Sequence, residues 1–499
     1  MWLIWLTAMA WDGEVVHTEP RVRVDDPAWP GAVERSLTGA VLDAPPPAGV
    51  AWRSDGEVVL DGVPDAISLD ALNAPAWHDA GYLGQGVRVA VLDLQWQALE
   101  DAGLDLVDGT ADCATHLSCE VAIDLRRARA GFESGRHGSA CAEIVRSVAP
   151  DAEIHALRVT GFTSFENAVD WAIRHDMQLL SMSMSFFNNS FYDGRGEFDA
   201  LFGRLEAAGV LLVTSAGNYA QQHWEGPWID ADADGRLDMD GGNGIWLQLP
   251  GNGRRTVEVN WNEHRSCGRS DLDVWVFDDE GFVVGRGEDR QRVDADSCAP
   301  IERVQVEASY SGLYRLEVHG RRVAESNLRV AMFTRQGVVQ GGVRAGSFAD
   351  PSAYPLAFVV GAVRGSNYLL NGIEAFSSEG PTRAGLAKPD IAGPNGLSTR
   401  SYGAEGFFGT SASTPAVAGA IALVLSRYPE LTPRQAAERL QGWAVGSDAV
   451  DDPRWGAGKA RLPMPEPQDP GCGRRALWAG LFPVVVLGRR RRPGVASGC

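Results

Sequence analysis

The chain has 499 residues and a mass of 53.5 kDa, room for about three folded units at roughly 150 residues each. Apolar residues make up 44% and charged residues 22%, with 58 Gly and 27 Pro, which argues against disorder and fits a globular chain rich in tight turns. Forty-five basic against 65 acidic residues leave a net charge of -20, which repels phosphate backbones and excludes nucleic acid as an expected partner.

Residues 1–10 hold a short apolar run from Trp2 that ends Ala8-Met9-Ala10, the small-x-small pattern of a signal-peptide cleavage site; a buried N-terminal strand is the alternative. Residues 11–70, acidic and interrupted by Pro45-Pro46-Pro47, read as an N-terminal extension or short prosegment. Between 71 and 218 the pattern becomes apolar runs separated by helical ones, the strand-like runs being Val87 to Leu92, Ile154 to Val159, Leu179 to Met184 and Val210 to Thr214. Runs so continuous in Val, Leu, Ile and Ala suit parallel strands covered on both faces, so the expected fold is α/β, a doubly wound, mostly parallel sheet.

Residues 219–345 change rhythm to alternating strands such as Thr256-Val257-Glu258-Val259 and Leu272-Asp273-Val274-Trp275-Val276, with Gly- and Asp-rich turns and no helical stretch. They read as an inserted antiparallel β-sandwich-like module. The α/β pattern resumes over 346–462, with a further strand at Phe358 to Val363. Residues 463–471 form a Pro-rich linker, and 472–499 carry Cys472, an apolar run from Ala476 to Gly488 and Arg489-Arg490-Arg491-Arg492. This tail resembles the myxobacterial-type C-terminal sorting tag, which implies export and a membrane contact made only through the tail.

Seven cysteines is an odd number for an exported protein. Cys113 with Cys119 and Cys267 with Cys298 are plausible disulfide pairs, leaving Cys141, Cys472 and Cys499; neither spacing fits a zinc site.

Ligands of an α/β sheet bind beyond the carboxyl ends of its strands, so polar residues that follow apolar runs are the first candidates for chemistry. Asp93 ends Val89-Ala90-Val91-Leu92-Asp93, His137 begins His137-Gly138-Ser139-Ala140-Cys141-Ala142, and Ser411 lies in Gly409-Thr410-Ser411-Ala412-Ser413-Thr414-Pro415 before a long apolar helix. A serine hydroxyl needs a base to take its proton and an acid group to orient that base, and these three residues supply the set. Pro415 is expected in the first helical turn, which would put Ser411 at a helix N-terminus.

On these segments the chain resembles the subtilases, subtilisin-like serine peptidases whose triad runs Asp, His, Ser along the chain. The resemblance implies catalytic roles for Asp93, His137 and Ser411. It also implies an oxyanion donor at Asn218, which ends Ser215-Ala216-Gly217-Asn218. Ser215, Ala216 and Gly217, with Ser183 and Met184 of Ser181-Met182-Ser183-Met184-Ser185-Phe186-Phe187, fall on the family's substrate-binding segments, Ser183 being favoured over the alternative Ser185 as the substrate-binding serine. The glycines that follow in the family are absent here, and the bulky Phe186 and Phe187 are expected to narrow or reshape the pocket for the residue before the cut. Cys141, four residues after His137, resembles the free cysteine of proteinase-K-like members and reads as a small buried apolar residue.

The run Asp230-Ala231-Asp232-Ala233-Asp234-Gly235-Arg236-Leu237-Asp238 has the alternate carboxylates of half an EF-hand, but its twelfth position is Gly241. A structural calcium held by Asp230, Asp232, Asp234 and Asp238, or a solvated acidic turn, both fit. No cofactor is expected for the chemistry. The expected protein is thus an exported, monomeric serine endopeptidase acting on proteins or peptides, extracellular or at the cell surface. The alternative is a surface-displayed pseudopeptidase or binding scaffold that acts through the β-rich insert.

Overall fold

The computed structural model describes residues 66–465 apart from 100–105, 115–117, 125–134, 240–241, 265–268, 292–298, 325 and 447–451, together with four short strands between 22 and 54. The expected signal peptide, the expected C-terminal tag and the expected pair Cys267 and Cys298 lie outside the described residues. The strands Val22–Val24, Glu34–Arg35, Ala40–Leu42 and Trp52–Ser54 form a small antiparallel sheet within the N-terminal extension.

The α/β part is built on one seven-stranded sheet. Its order is Ile391–Asn395, Phe358–Arg364, Leu211–Ser215, Leu179–Met182, Arg88–Asp93, Glu153–Arg158 and Gly109–Asp112, and every neighbouring pair is parallel. All five expected strands are present. Gly109–Asp112 and Ile391–Asn395 had no apolar signal, since one reads Gly-Thr-Ala-Asp and the other carries Gly393, Pro394 and Asn395; they are strands because they extend an existing sheet at its two edges.

Successive strand residues point to opposite faces, and both faces are buried. Val89 and Val91 enter a core with the helices His137–Val148, Thr410–Arg427 and Pro433–Gly442, whereas Ala90 and Leu92 enter a second core with Phe162–Arg174 and Phe198–Ala208. Every residue from Thr410 to Leu425 is buried, as expected for a helix that is apolar on all sides and runs through the middle of a core.

Between His223 and Val339 the described residues contain no helix. Two antiparallel sheets lie there instead, ordered His223–Pro227, Arg329–Thr334, Gly253–Trp261, Ile301–Ala308 and Val283–Gly287, Asp271–Phe277, Gly312–Arg322, Ile245–Leu249, Val338–Val339. They enclose a core of their own, with Trp261, Tyr314, Leu316 and Val274 fully buried. In Ile245–Leu249 buried and exposed residues alternate along the whole strand, the signature of a sheet with one dry face.

Candidate active site

Leu92 pairs with Met182, and Met182 pairs with Thr214, on three adjacent strands. The next residues therefore stand at one level, Asp93 and Ser215 as the last of their strands and Ser183 just after Leu179–Met182. Asn218 follows three residues after Ser215. The parallel sheet thus gathers residues 125 positions apart into a single row.

Asp93 is buried, and its Oδ1 accepts the backbone N–H groups of Leu94 at 2.8 Å and Gln95 at 3.0 Å. That leaves Oδ2 for His137, whose Nδ1–H donates to it at 2.6 Å. The imidazole is held in the tautomer that keeps Nε2 free to accept a proton. Gly138 is required beside it: a Cβ there would meet Asp93 Cβ at 2.6 Å and the Gln95 carbonyl at 2.9 Å. Phe407 packs edge-on against the His137 ring with centroids 5.5 Å apart, a neighbour that no motif announced. Burial alone would lower the His137 pKa; the Asp93 carboxylate outweighs it and holds the imidazole well above its usual range.

Ser411 is the second residue of the helix Thr410–Arg427, entered through Gly409 at φ 100°, a left-handed conformation suited to glycine. Pro415 is the sixth residue of this helix, not a first-turn residue as expected from the sequence. Its missing N–H is the one that would bond to the carbonyl four residues back, that of Ser411. This carbonyl instead accepts the Ser183 hydroxyl at 3.0 Å and lies 3.7 Å from Cys141 Sγ. Proline therefore frees the Ser411 carbonyl for tethering to the strand end at Ser183 and to the His137 helix through Cys141. Cys141 is free and buried, and burial pushes its thiol pKa up, so it stays a neutral thiol.

Asn218 is oriented by Thr410. Its Oδ1 accepts both the Thr410 N–H at 3.0 Å and the Thr410 hydroxyl at 3.1 Å, and that same hydroxyl accepts the Gly217 N–H at 3.2 Å. With the acceptor end occupied, the side-chain Nδ2 is the end left to donate, beside the residue that precedes Ser411. Ser215 and Ala216 are buried in the sheet: the Ser215 carbonyl accepts the Ser352 hydroxyl at 2.6 Å, and Ala216 N–H donates to the Val360 carbonyl. Met184 is half-buried beside the second core.

The two phenylalanines part company. Phe186 turns inward onto Phe165 and Phe198, with centroids 5.7 and 5.4 Å away. Phe187 faces Tyr219 and the insert residue Phe333. The expectation for Phe186 is corrected: its side chain is drawn into an aromatic cluster of the core rather than toward a pocket.

The described residues include one disulfide, Cys113 to Cys119. In the insert, the carboxylates of Asp230, Asp232 and Asp234 gather within 4.8 Å of one another, oxygen donors of the kind calcium takes. Asp238 is turned instead to the Ala231 N–H at 2.8 Å, and Asp234 also accepts the Asn243 amide. No helix among the described residues is long and apolar enough to cross a membrane.

The subtilase family model matches residues 127–239 and 323–458. The chain belongs to the subtilase family. The two matched blocks contain His137, Asn218 and Ser411, while Asp93 lies outside both and is joined to the site by its bond to His137. A thermostable alkaline protease of Halalkalibacterium halodurans is 28% identical over 167 residues, 32% of this chain and 43% of that protein. Subtilisin E of Bacillus subtilis is 39% identical over 95 residues, 19% of this chain and 23% of that protein. The chain thus aligns with less than half the length of either relative. Among solved structures, the CspB protease of Clostridium perfringens shares the fold with a TM-score of 0.53 at 17% identity, covering 79% of this chain and 95% of that one.

Proposed function

We propose that the chain is an exported subtilisin-like serine endopeptidase in which Ser411, His137, Asp93 and Asn218 carry the reaction. The observation that supports this most is the 2.6 Å bond from His137 Nδ1 to Asp93, on the same rim as the Asn218 amide that Thr410 holds beside Ser411. In this reading His137 Nε2 takes the Ser411 proton as Oγ bonds to the scissile carbonyl carbon. The oxyanion is met by Asn218 Nδ2 and by the N–H groups that open the serine helix. The C–N bond then breaks, the leaving amine takes the proton from His137, and a water activated by the same imidazole releases the acyl group.

The same reading makes proteins or peptides the substrates and assigns catalysis to 71–218 and 346–462, with 219–345 inserted between them. It requires no cofactor for the chemistry, and it places the monomeric enzyme outside the cytoplasm, with any membrane contact confined to the C-terminal tail. The acidic loop is proposed as a structural calcium site of Asp230, Asp232 and Asp234.

A fluorophosphonate probe tests the central point. The full chain is expected to be labelled and to cleave casein, and Ser411→Ala to lose both. A folded, processed chain that takes no label would instead favour a scaffold acting through its insert.

A further inference from the structure

The rim row fixes where a substrate side chain must go. If the carbonyl carbon sits at Ser411 with its oxygen toward Asn218, the side chain on the adjoining acyl-side carbon emerges between two segments. One is 183–187, which follows the strand Leu179–Met182; the other is 215–219, which follows the neighbouring strand Leu211–Ser215. The gap between them is not open. The Ser185 hydroxyl and the Tyr219 phenol interact across it, and the Phe187 and Tyr219 rings meet edge to face with centroids 5.2 Å apart.

Behind this pair stands a residue of the insert. Phe333, buried on the strand Arg329–Thr334, contacts Phe187 at 5.4 Å and Tyr219 at 5.6 Å between centroids, both edge to face. The Arg335 guanidinium lies over the Phe187 ring, 5.1 Å from its centroid. The same insert sheet holds the chain just beyond: Asn188 Nδ2 donates to Glu258 at 2.7 Å, and Asn260 Nδ2 donates to the Ser190 carbonyl at 2.9 Å. Glu258 is itself fully buried between Arg303 and Arg335. One wall of the gap is therefore braced by the module, through side chains that the α/β part does not supply.

We propose that the insert sets the depth of the pocket for the residue before the cut: Phe333 holds Tyr219 and Phe187 as a back wall, and the Tyr219–Ser185 contact bars long side chains, so that cleavage follows small residues such as alanine and serine. This rests on Ser411 being the nucleophile. Tyr219 lines the pocket, and Phe333 is a positioning residue that acts through it.

The test compares peptide amides that differ only in having Ala or Phe before the scissile bond, cleaved by the full chain. The parent protein is expected to favour Ala by about tenfold or more in kcat/KM, the order that a mismatch of side-chain size produces. Tyr219→Ala and Phe333→Ala are expected to cut that preference about tenfold, chiefly through a lower KM for the Phe peptide, and Phe333→Leu to keep most of it. A parent that cleaves preferentially after Phe, or a folded Tyr219→Ala that keeps the parent ratio, overturns the proposal; if Phe333→Ala does not fold, Tyr219→Ala decides. Fluorophosphonate labelling separates the two levels. A labelled chain with the wrong profile loses only the pocket, whereas a chain that neither labels nor cleaves loses the peptidase reading with it.

Discussion

The seven-stranded sheet and the inserted sandwich are both β-structure, yet they use polar residues in opposite ways. In the parallel sheet, strands such as Leu179–Met182 and Leu211–Ser215 are buried along their whole length, so a reactive side chain can emerge only where a strand ends. Asp93 and Ser183 do this at the same level, with Asn218 just beyond Ser215. In the insert, Ile301–Ala308 alternates buried and exposed residues, and its charges spread into surface pairs such as Arg254 with Glu307. A parallel sheet gathers polar side chains at one edge; an antiparallel one disperses polarity over a face and pairs buried carboxylates such as Asp273 and Glu317 with its own arginines, Arg321 and Arg315.

If chemistry is confined to the rim, the largest effects belong there. Ser411→Ala is expected to lower kcat by about 10⁶, the scale found when a subtilisin loses its nucleophile. Asp93→Asn should lower kcat by about 10⁴, since the imidazole loses the partner that fixes its tautomer. The pH profile sharpens this point. Because Asp93 raises the His137 pKa above its ordinary 6.5, the neutral base forms at higher pH than for a free histidine, and the rise of kcat/KM with pH should be displaced upward; in Asp93→Asn the midpoint should move down. An unchanged midpoint would mean that the carboxylate is not what sets it.

Asn218→Ala is expected to cost about 10² to 10³ in kcat with little change in KM, as when the matching donor is removed in subtilisin. An effect confined to KM would assign this amide to ground-state binding. All three rim variants should melt within a few degrees of the parent, and a large drop in Tm would break the contrast drawn above.

The junction between the two regions predicts a change in stability rather than rate. Asp350 is buried and accepts the Ser190 hydroxyl at 2.8 Å, and burial lifts its pKa to about 7. A carboxyl whose folded pKa is raised binds its proton more tightly in the folded state, so stability falls as pH rises from its ordinary 3.8 through about 7. Asp350→Asn should therefore raise Tm at alkaline pH and leave it nearly unchanged in acid; parallel curves of Tm against pH would exclude this role. The smallest effect is expected at the acidic loop. Calcium should raise Tm by a few degrees over chelator, and Asp232→Ala should abolish the difference. Equal melting with and without calcium removes the metal.

Much of the site was legible as residue types in order. Asp93 after an apolar run, the His137-Gly138 pair and the serine segment before a long apolar helix each mark the start or end of an element, and local sequence records such boundaries well. Partners chosen across hundreds of residues were less visible. Nothing near Asn218 in sequence points to Thr410, nothing near His137 points to Phe407, and Phe333 lies 114 residues beyond Tyr219 in a module of another fold class. The two edge strands were missed for a related reason: Gly109–Asp112 and Ile391–Asn395 owe their conformation to the neighbours they hydrogen-bond to, not to their own composition.

Sequence alone determined the class of sheet, the ends of its strands and which side chains stand there, because burial on both faces demands continuous apolar runs and leaves polar groups only at their termini. Tertiary structure alone decided that Pro415 frees the Ser411 carbonyl for Ser183, that Phe186 enters the core while Phe187 meets Phe333, and that insert residues Glu258 and Asn260 hold the segment at Asn188 and Ser190. Those outcomes depend on which distant surfaces come within a few ångströms of each other, and distance through space is set by the packing of the whole chain.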